Sequence, residues 1–415
     1  MVASKSLDVQ TPLSGSELLP SSRSRGYLEM LNLYRVIACA AVVGNHSFIW
    51  ANMSSNVIGT GFITMLHFSR NAFFFLSGLV ICYSQIAHPR SVRAFWRRRY
   101  VQLGVPYLAW TGIYLVFTLF MVSFSWGDVW SFLRQNLLEG YSQLYPAFVI
   151  FQFYLVFPLL LSLLRSTRRH GLVMAVSLGF ALLLGFTLHY PGWFPALTDV
   201  WNTLNSVVAW SRDLLTYQEF FVAGALVALH FDEVCAFVSR HYRHIFLAGG
   251  AVGALMVLWY AIQVDTGTSL LRASDPYQAE AVIWYFAAIT AIFALSQWCE
   301  QRKPEHSGAT PRRRPTTTAS LAALTGGIWL SHNLFLTSLR AVLGGLGLRA
   351  SLSWEATVAI LFFGTVLISV AFVAVILRTP LKWILGGPVR SEQRAEYEAE
   401  PLSGESVFNR REEGR

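Results

Sequence analysis

Charge is what this sequence has least of. Only 13% of its 415 residues are Asp, Glu, Lys or Arg, about half the share found in soluble domains. A deficit of that size excludes an ordinary water-soluble enzyme. It also excludes a disordered chain, which carries charge in place of apolar side chains. Cysteine is scarce as well. Cys39, Cys82, Cys235 and Cys299 are the whole set, with no CxxC and no His/Cys spacing of a zinc site. No extracellular disulfide framework, metal site or metal cofactor is expected. The N-terminal 30 residues lack the apolar stretch of a cleavable signal peptide, so the first apolar run is expected to be retained. Carboxylates are almost absent from the apolar runs, and no internal repeat is visible.

What remains is hydrophobic. Apolar residues make up 54% of the chain, with 14 Trp and 30 Phe, and the mean hydropathy is +0.45. Ten apolar segments are long enough to span a bilayer. They lie at about 33–53, 60–86, 100–122, 145–164, 171–190, 213–231, 245–264, 280–299, 320–343 and 354–377. The expected fold is all-α, a polytopic membrane bundle of about ten transmembrane helices with interfacial aromatics. Of the 32 Lys and Arg, 25 fall in connections on one side, six on the other, and Arg35 inside the first span. By the positive-inside rule that asymmetry puts both termini in the cytoplasm. It also accounts for the net charge of +9 without nucleic acid as a partner. Residues 1–30 and 388–415 read as polar, mobile cytoplasmic tails, and 31–387 as one membrane domain. The Pro-rich, basic segment 300–319 reads as a disordered cytoplasmic loop. It serves as an orientation signal, with contact to anionic lipid as the second reading.

Two ionisable side chains interrupt the first run. Arg35 and His46 are eleven positions apart, so on a helix they share nearly one face, about 16 Å apart along the axis. His46 then lies at mid-depth, where an ionisable group marks function by default. An imidazole can take a proton from a hydroxyl and return it to a leaving group. A bundle-interior histidine bonded to a backbone carbonyl is the competing structural reading. Further along, RNAFFFLSGLV at 70–80 reads as close helix packing at Ser77-Gly78, with Ser77 a candidate nucleophile. Arg70 is placed at the outer end of its helix, able to snorkel. Arg97, Arg98 and Arg99 open the third span and fan out around the helix. They suit either phosphates, such as those of coenzyme A, or the simple role of a positive anchor. Gln152 and Tyr154 stand mid-helix before Pro158, where a kink is expected. Ser331, His332 and Asn333 place a second histidine inside a span, after Gly326-Gly327. The loop 191–212, rich in Trp, reads as an aromatic belt or the lining of an acceptor site.

Taken together, Arg35-x10-His46 resembles the R-x10-H signature of the bacterial acyltransferase-3 family of membrane O-acyltransferases. Other pieces recur in the family's order: RNAFFFLSG, RRRYVQLGVPY, FQFYLVFPLL and GGIWLSHNLFL. The resemblance covers about residues 27–385. Gln102 stands where the family usually has a basic residue, and Trp329 where it usually has Tyr. A hydrolase-like domain that some members carry is not expected here. The resemblance implies a multi-pass protein of the plasma or inner membrane that moves an acyl group, commonly acetyl, from cytoplasmic acyl-CoA to a hydroxyl. Implied acceptors are envelope glycans, lipid-linked sugars and natural products. Implied site residues are His46 and Arg35 in catalysis, Arg97, Arg98 and Arg99 on the donor, and Ser77, Gln152, Tyr154 and His332 in support. His46 acts either as general base or as acyl carrier. Two other classes stay open from the residues alone. One is an exporter of a lipid-linked sugar or small molecule, with Asp213 or Glu219 for coupling. The other is a non-catalytic scaffold. Oligomeric state is not encoded in any readable feature.

Overall fold

In the computed structural model, residues 24–121, 125–138, 142–190, 192–207, 212–302 and 317–386 are described. Most of the expected polar tails and most of the basic loop lie outside these residues. Among the described residues there are fifteen α-helices and no strand. They are α1 (Ser24–Trp50), α2 (Val57–Leu66), α3 (Phe68–Ala87), α4 (Val92–Met121), α5 (Trp126–Leu138), α6 (Tyr145–Ser166), α7 (His170–His189) and α8 (Pro195–Val207). Then come α9 (Gln218–Leu229), α10 (Phe231–Asp265), α11 (Leu270–Ala273), α12 (Ala279–Gln301), α13 (Thr317–Ala322), α14 (Thr325–Gly345) and α15 (Trp354–Ile376).

Short polar residues set where helices begin. After α1, Asn52 takes a left-handed conformation with φ 63°, which Asn tolerates better than most residues. Asn56 then opens α2, its side chain accepting from the N–H groups of Ile58 and Gly59. This satisfies donors that a helix start leaves free. Ser353 opens α15 in the same way, through the N–H of Ala356. α1 begins at Ser24, inside the stretch read as polar tail. Met30, Leu31 and Tyr34, each at most 4% exposed, carry the buried stripe of the helix back toward its start.

Each of the ten apolar runs falls on helix. Among the described residues, seven helices are long and apolar enough to cross a membrane: α2 with α3, α4, α6, α7, α10, α12 and α15. The remaining three runs are α1, α9 and α14. α9 is apolar but has only 12 residues. α1 and α14 carry the Arg, His, Asn and Ser residues singled out above. The run at 60–86 differs from expectation in form, being two helices that meet at His67.

α3 and α9 pack most closely. A Cβ on Gly78 would run into the backbone oxygen of Phe221, and one on Gly224 into that of Phe75. Small residues at these two points let the backbones touch, the usual route to helix association in lipid. Ser77-Gly78 is thus a packing element. α1 lies against α2, α3, α12, α13, α14 and α15, which encloses it in the bundle. All four cysteines are free.

Candidate active site

His46 comes from α1 and His332 from α14, and their rings meet with centroids 5.1 Å apart and a 41° tilt. His332 is 1% exposed. Its Nδ1 lies 2.6 Å from the carbonyl oxygen of Trp329, so Nδ1–H donates and Nε2 carries the lone pair. Nε2 is buried and has no hydrogen-bond partner. His46 is only half-buried. Of the pair it is the more exposed, and His332 is the one held by its own helix.

A hydrogen-bonded seam holds the two helices in this register. Trp50 Nε1 donates to Asn333 Oδ1 at 2.8 Å, and Asn333 Nδ2 donates to Gln143 Oε1 at 3.1 Å. Tyr114 OH donates to the carbonyl of Leu330 at 2.8 Å. Arg340 reaches Asn52 Oδ1 at 3.1 Å and lies over the Trp50 ring. Ser331 bonds back to the carbonyl of Gly327. A Cβ on Gly327 would press on Val373 at 2.6 Å, so α14 sits tight against α15. Gly326 has ordinary space. Ser47, although next to His46, is buried and donates to the Val43 carbonyl.

A third imidazole, His67, lies at the junction of α2 and α3, within electrostatic reach of both His46 and Arg70. Its Nδ1 is buried without a partner. His67 falls in the 60–86 run, so the rule that picked out His46 applies to it equally; the sequence reading passed over it.

Arg70 is a correction. It was expected at a helix end, snorkelling. Because α2 continues the path of α3 outward, Arg70 instead sits inside the bundle. Its Nη1 donates to Tyr145 OH at 3.3 Å and to Tyr277 OH at 3.1 Å. Its guanidinium lies 4.9 Å from the ring centres of Tyr217 and Tyr277, in cation–π range. The carboxyl group of Glu219, 1% exposed, is within electrostatic reach. A cavity of about 20 Å³ adjoins Arg70 and Glu219, roughly the room for one water.

The other singled-out residues lie apart from the histidines. Arg35 is half-buried on α1, about 16 Å along the axis from His46. Arg97 is exposed, while Arg98 and Arg99 are half-buried, the expected fan. Arg99 is close enough to Tyr154 to act on it electrostatically. Trp96 Nε1 donates to the Tyr154 carbonyl and Tyr100 OH to that of Phe151, both at 2.8 Å, which pins α4 to α6. Near this end, Arg90, Arg165, Ser162 and Gln85 line a cavity of about 420 Å³. Ser77 lies about 15 Å along α3 from His67. Gln152 is fully engaged with backbone: Nε2 donates to the Arg212 carbonyl at 2.8 Å and Oε1 accepts from Leu214 N at 3.0 Å. α6 runs through Pro158 as one helix. Of the loop 191–212, residues 191 and 208–211 lie outside the described residues. Among the described residues no three His, Cys, Asp or Glu side chains are grouped to hold a metal ion.

The arrangement offers paired imidazoles within an apolar bundle, one half-buried and one buried and held by the Trp329 carbonyl. A family model described as an acyltransferase domain matches residues 29–374. No curated protein and no solved structure matches the chain.

Proposed function

Since the chain belongs to the acyltransferase-3 family and is a multi-pass membrane protein, we propose that it moves an acyl group, acetyl in the simplest case, from cytoplasmic acyl-CoA to a hydroxyl. The acceptor is a cell-envelope glycan, a lipid-linked sugar or a small natural product. The observation that carries this reading is the His46–His332 pair. His46 takes the proton of the acceptor hydroxyl as its oxygen bonds to the thioester carbonyl carbon. The C–S bond breaks, and the imidazolium returns the proton to the departing thiolate. His332, whose Nδ1–H is committed to the Trp329 carbonyl, packs its ring against His46 with centroids 5.1 Å apart and so limits the orientations His46 can take. Arg98 and Arg99, with Arg97, bind the phosphates of the donor, and the guanidinium-lined cavity at Arg90 and Arg165 opens nearby. Arg35 stands between this end and His46.

The same reading counts α1, α9 and α14 with the seven long apolar helices, ten crossings in all. Both termini then face the cytoplasm, with 31–387 as the membrane domain of a plasma or inner membrane protein. The Lys/Arg asymmetry supports the orientation. The enclosure of α1 by other helices supports counting it, because an enclosed helix can carry polar residues that a lipid-facing one cannot. Export is the weaker alternative. Asp213 is occupied in capping the turn Leu214–Thr216, which leaves Glu219, beside Arg70, of the two candidate coupling carboxylates.

The test uses membranes containing the protein and acetyl-CoA labelled in the acetyl group. Label is expected in a hydroxyl-bearing acceptor with the native chain and not with His46→Ala. A correctly inserted His46→Ala protein with native transfer would remove His46 from the chemistry.

A further inference from the structure

Where α3 finishes and α4 begins, the cavity of about 420 Å³ opens against the last turns of α6, within the size range of small-molecule sites. Arg90, Arg165, Ser162 and Ser166 are its polar lining, and none of its lining residues is acidic. Arg90 belongs to the short link between α3 and α4. Gln85 Nε2 donates to the Arg90 carbonyl at 2.6 Å, which holds that link in place. Ser162, Arg165 and Ser166 end α6 and are exposed. Ser166 donates back to the Leu163 carbonyl at 3.0 Å, so of the two serines Ser162 is the one left to donate to a ligand.

Two guanidinium groups without a carboxylate suit a phosphate. The walls around them select the molecule that carries it. Phe95 and Phe157 line the cavity and are only 4% and 1% exposed. Rings so buried offer no face on which an adenine can stack, which argues against the nucleotide end of an acyl donor. The surface of α6 favours a lipid. Residues 155, 159, 162 and 166 are spaced by four, three and four, so they share one face of the helix. Toward the end of α6 that face carries the exposed Ser162 and Ser166. Deeper, it carries Leu155 and Leu159, 57% and 74% exposed. From 155 to 166 the helix rises about 16 Å, close to half of a hydrocarbon layer about 30 Å thick. One face of α6 is therefore polar and cation-flanked at its end and apolar over the depth of one leaflet, the profile of a phospholipid. A zwitterionic headgroup would bring an ammonium to the two guanidiniums, so the charge favours an anionic one.

We propose that this cavity holds the phosphate of an anionic phospholipid, with an acyl chain laid along Leu159 and Leu155. The lipid comes from the adjoining leaflet, the cytoplasmic one in the orientation given above. The proposal goes beyond acyl transfer and does not depend on it, and the phosphates of the acyl donor stay with Arg97, Arg98 and Arg99.

The experiment is native mass spectrometry of the full chain in detergent, with phosphatidylglycerol or phosphatidylcholine of the same acyl chains added. The native chain is expected to retain phosphatidylglycerol in preference to phosphatidylcholine, and equal retention of the two would overturn the proposal. Arg165 is exposed, so Arg165→Gln carries little risk to folding. It is expected to weaken phosphatidylglycerol binding about fivefold, the usual worth of one arginine near an anionic membrane, and the double variant Arg90→Gln/Arg165→Gln about 25-fold by the same arithmetic. Unchanged binding by both would overturn the proposal. Arg240→Gln/Arg243→Gln removes two other exposed arginines, on α10, and is expected to change binding by less than about twofold, since neither lines the cavity. A loss as large as that of the cavity pair would reveal diffuse attraction to any basic surface and would overturn the site. Coenzyme A in excess is expected to leave the lipid in place; its displacement would give the cavity to the acyl donor and overturn the lipid assignment.

Discussion

Two helix seams in this protein are built on opposite principles. Along α3 and α9, glycines at 78 and 224 bring backbone against backbone. Along α1 and α14, side chains hold the helices together through Trp50, Asn333 and Gln143, with the two histidine rings between them. The first seam leaves no volume for anything but itself. The second leaves a half-buried His46 and an unpartnered nitrogen on His332. On the proposed mechanism stability and chemistry fall to different seams, and substitutions should separate them.

The largest effect is expected on the glycine seam. Gly224→Leu puts a side chain where the Phe75 carbonyl already stands, and no relaxation of a flexible neighbour can make room. Recovery of monodisperse protein in detergent chromatography should be lost. A well-behaved Gly224→Leu protein would show that the approach of α3 to α9 is not needed. Next comes His46→Ala, which should keep normal yield and elution while transfer falls by about 10²–10⁴-fold, the usual worth of a general base. A parallel loss of yield would place His46 in the structural seam instead. His332→Ala should cost less, about tenfold in kcat or about 1.4 kcal/mol, through loss of the ring that packs against His46. Its KM for acetyl-CoA should stay near native, because His332 lies behind His46. A loss as large as that of His46→Ala would make the two histidines equal partners in the reaction. The smallest change is Trp50→Phe, which removes the bond to Asn333 and keeps most of the ring. Bonds of this kind in membranes are worth about 0.6–2 kcal/mol. The apparent melting temperature should drop by about 1–4 °C, and activity should fall only a few-fold.

Sequence pattern served these seams unequally. Apolar run length located every helix that carries the site, because the cost of placing polar backbone in lipid allows little else. Arg35, His46 and His332 stood out as ionisable residues inside those runs. His67 and Arg70 were misjudged for one reason. Arg70 reads as the outer end of its helix because the segment before it is counted with the exterior, and His67 lies in that same segment. The α2 helix that precedes α3, and the tyrosines gathered around Arg70, show that this segment lies within the bundle. The two cavities lined in part by Thr60, His67, His189, Trp259 and Asp275 were not legible at all, since these residues come from four separate stretches and no periodicity joins them. Gln152 misled in the other direction. A polar residue in mid-helix resembles a substrate ligand, and here both ends of its amide are taken by the backbone near Leu214.

That use of Gln152 follows from the length of α9. Twelve residues at 1.5 Å each give about 18 Å of helix, while the hydrocarbon layer measures about 30 Å. On the proposed ten-crossing reading α9 falls short by about 12 Å, and the 3-10 turn Leu214–Thr216 with the residues before it covers the difference. Peptide groups outside a helix at that depth have no water to bond, and they persist only where protein supplies partners. Gln152 is that supply for residues 212 and 214. Replacing it with Leu would make the middle of α6 more lipid-compatible by composition and would strand a carbonyl and an N–H below the membrane surface.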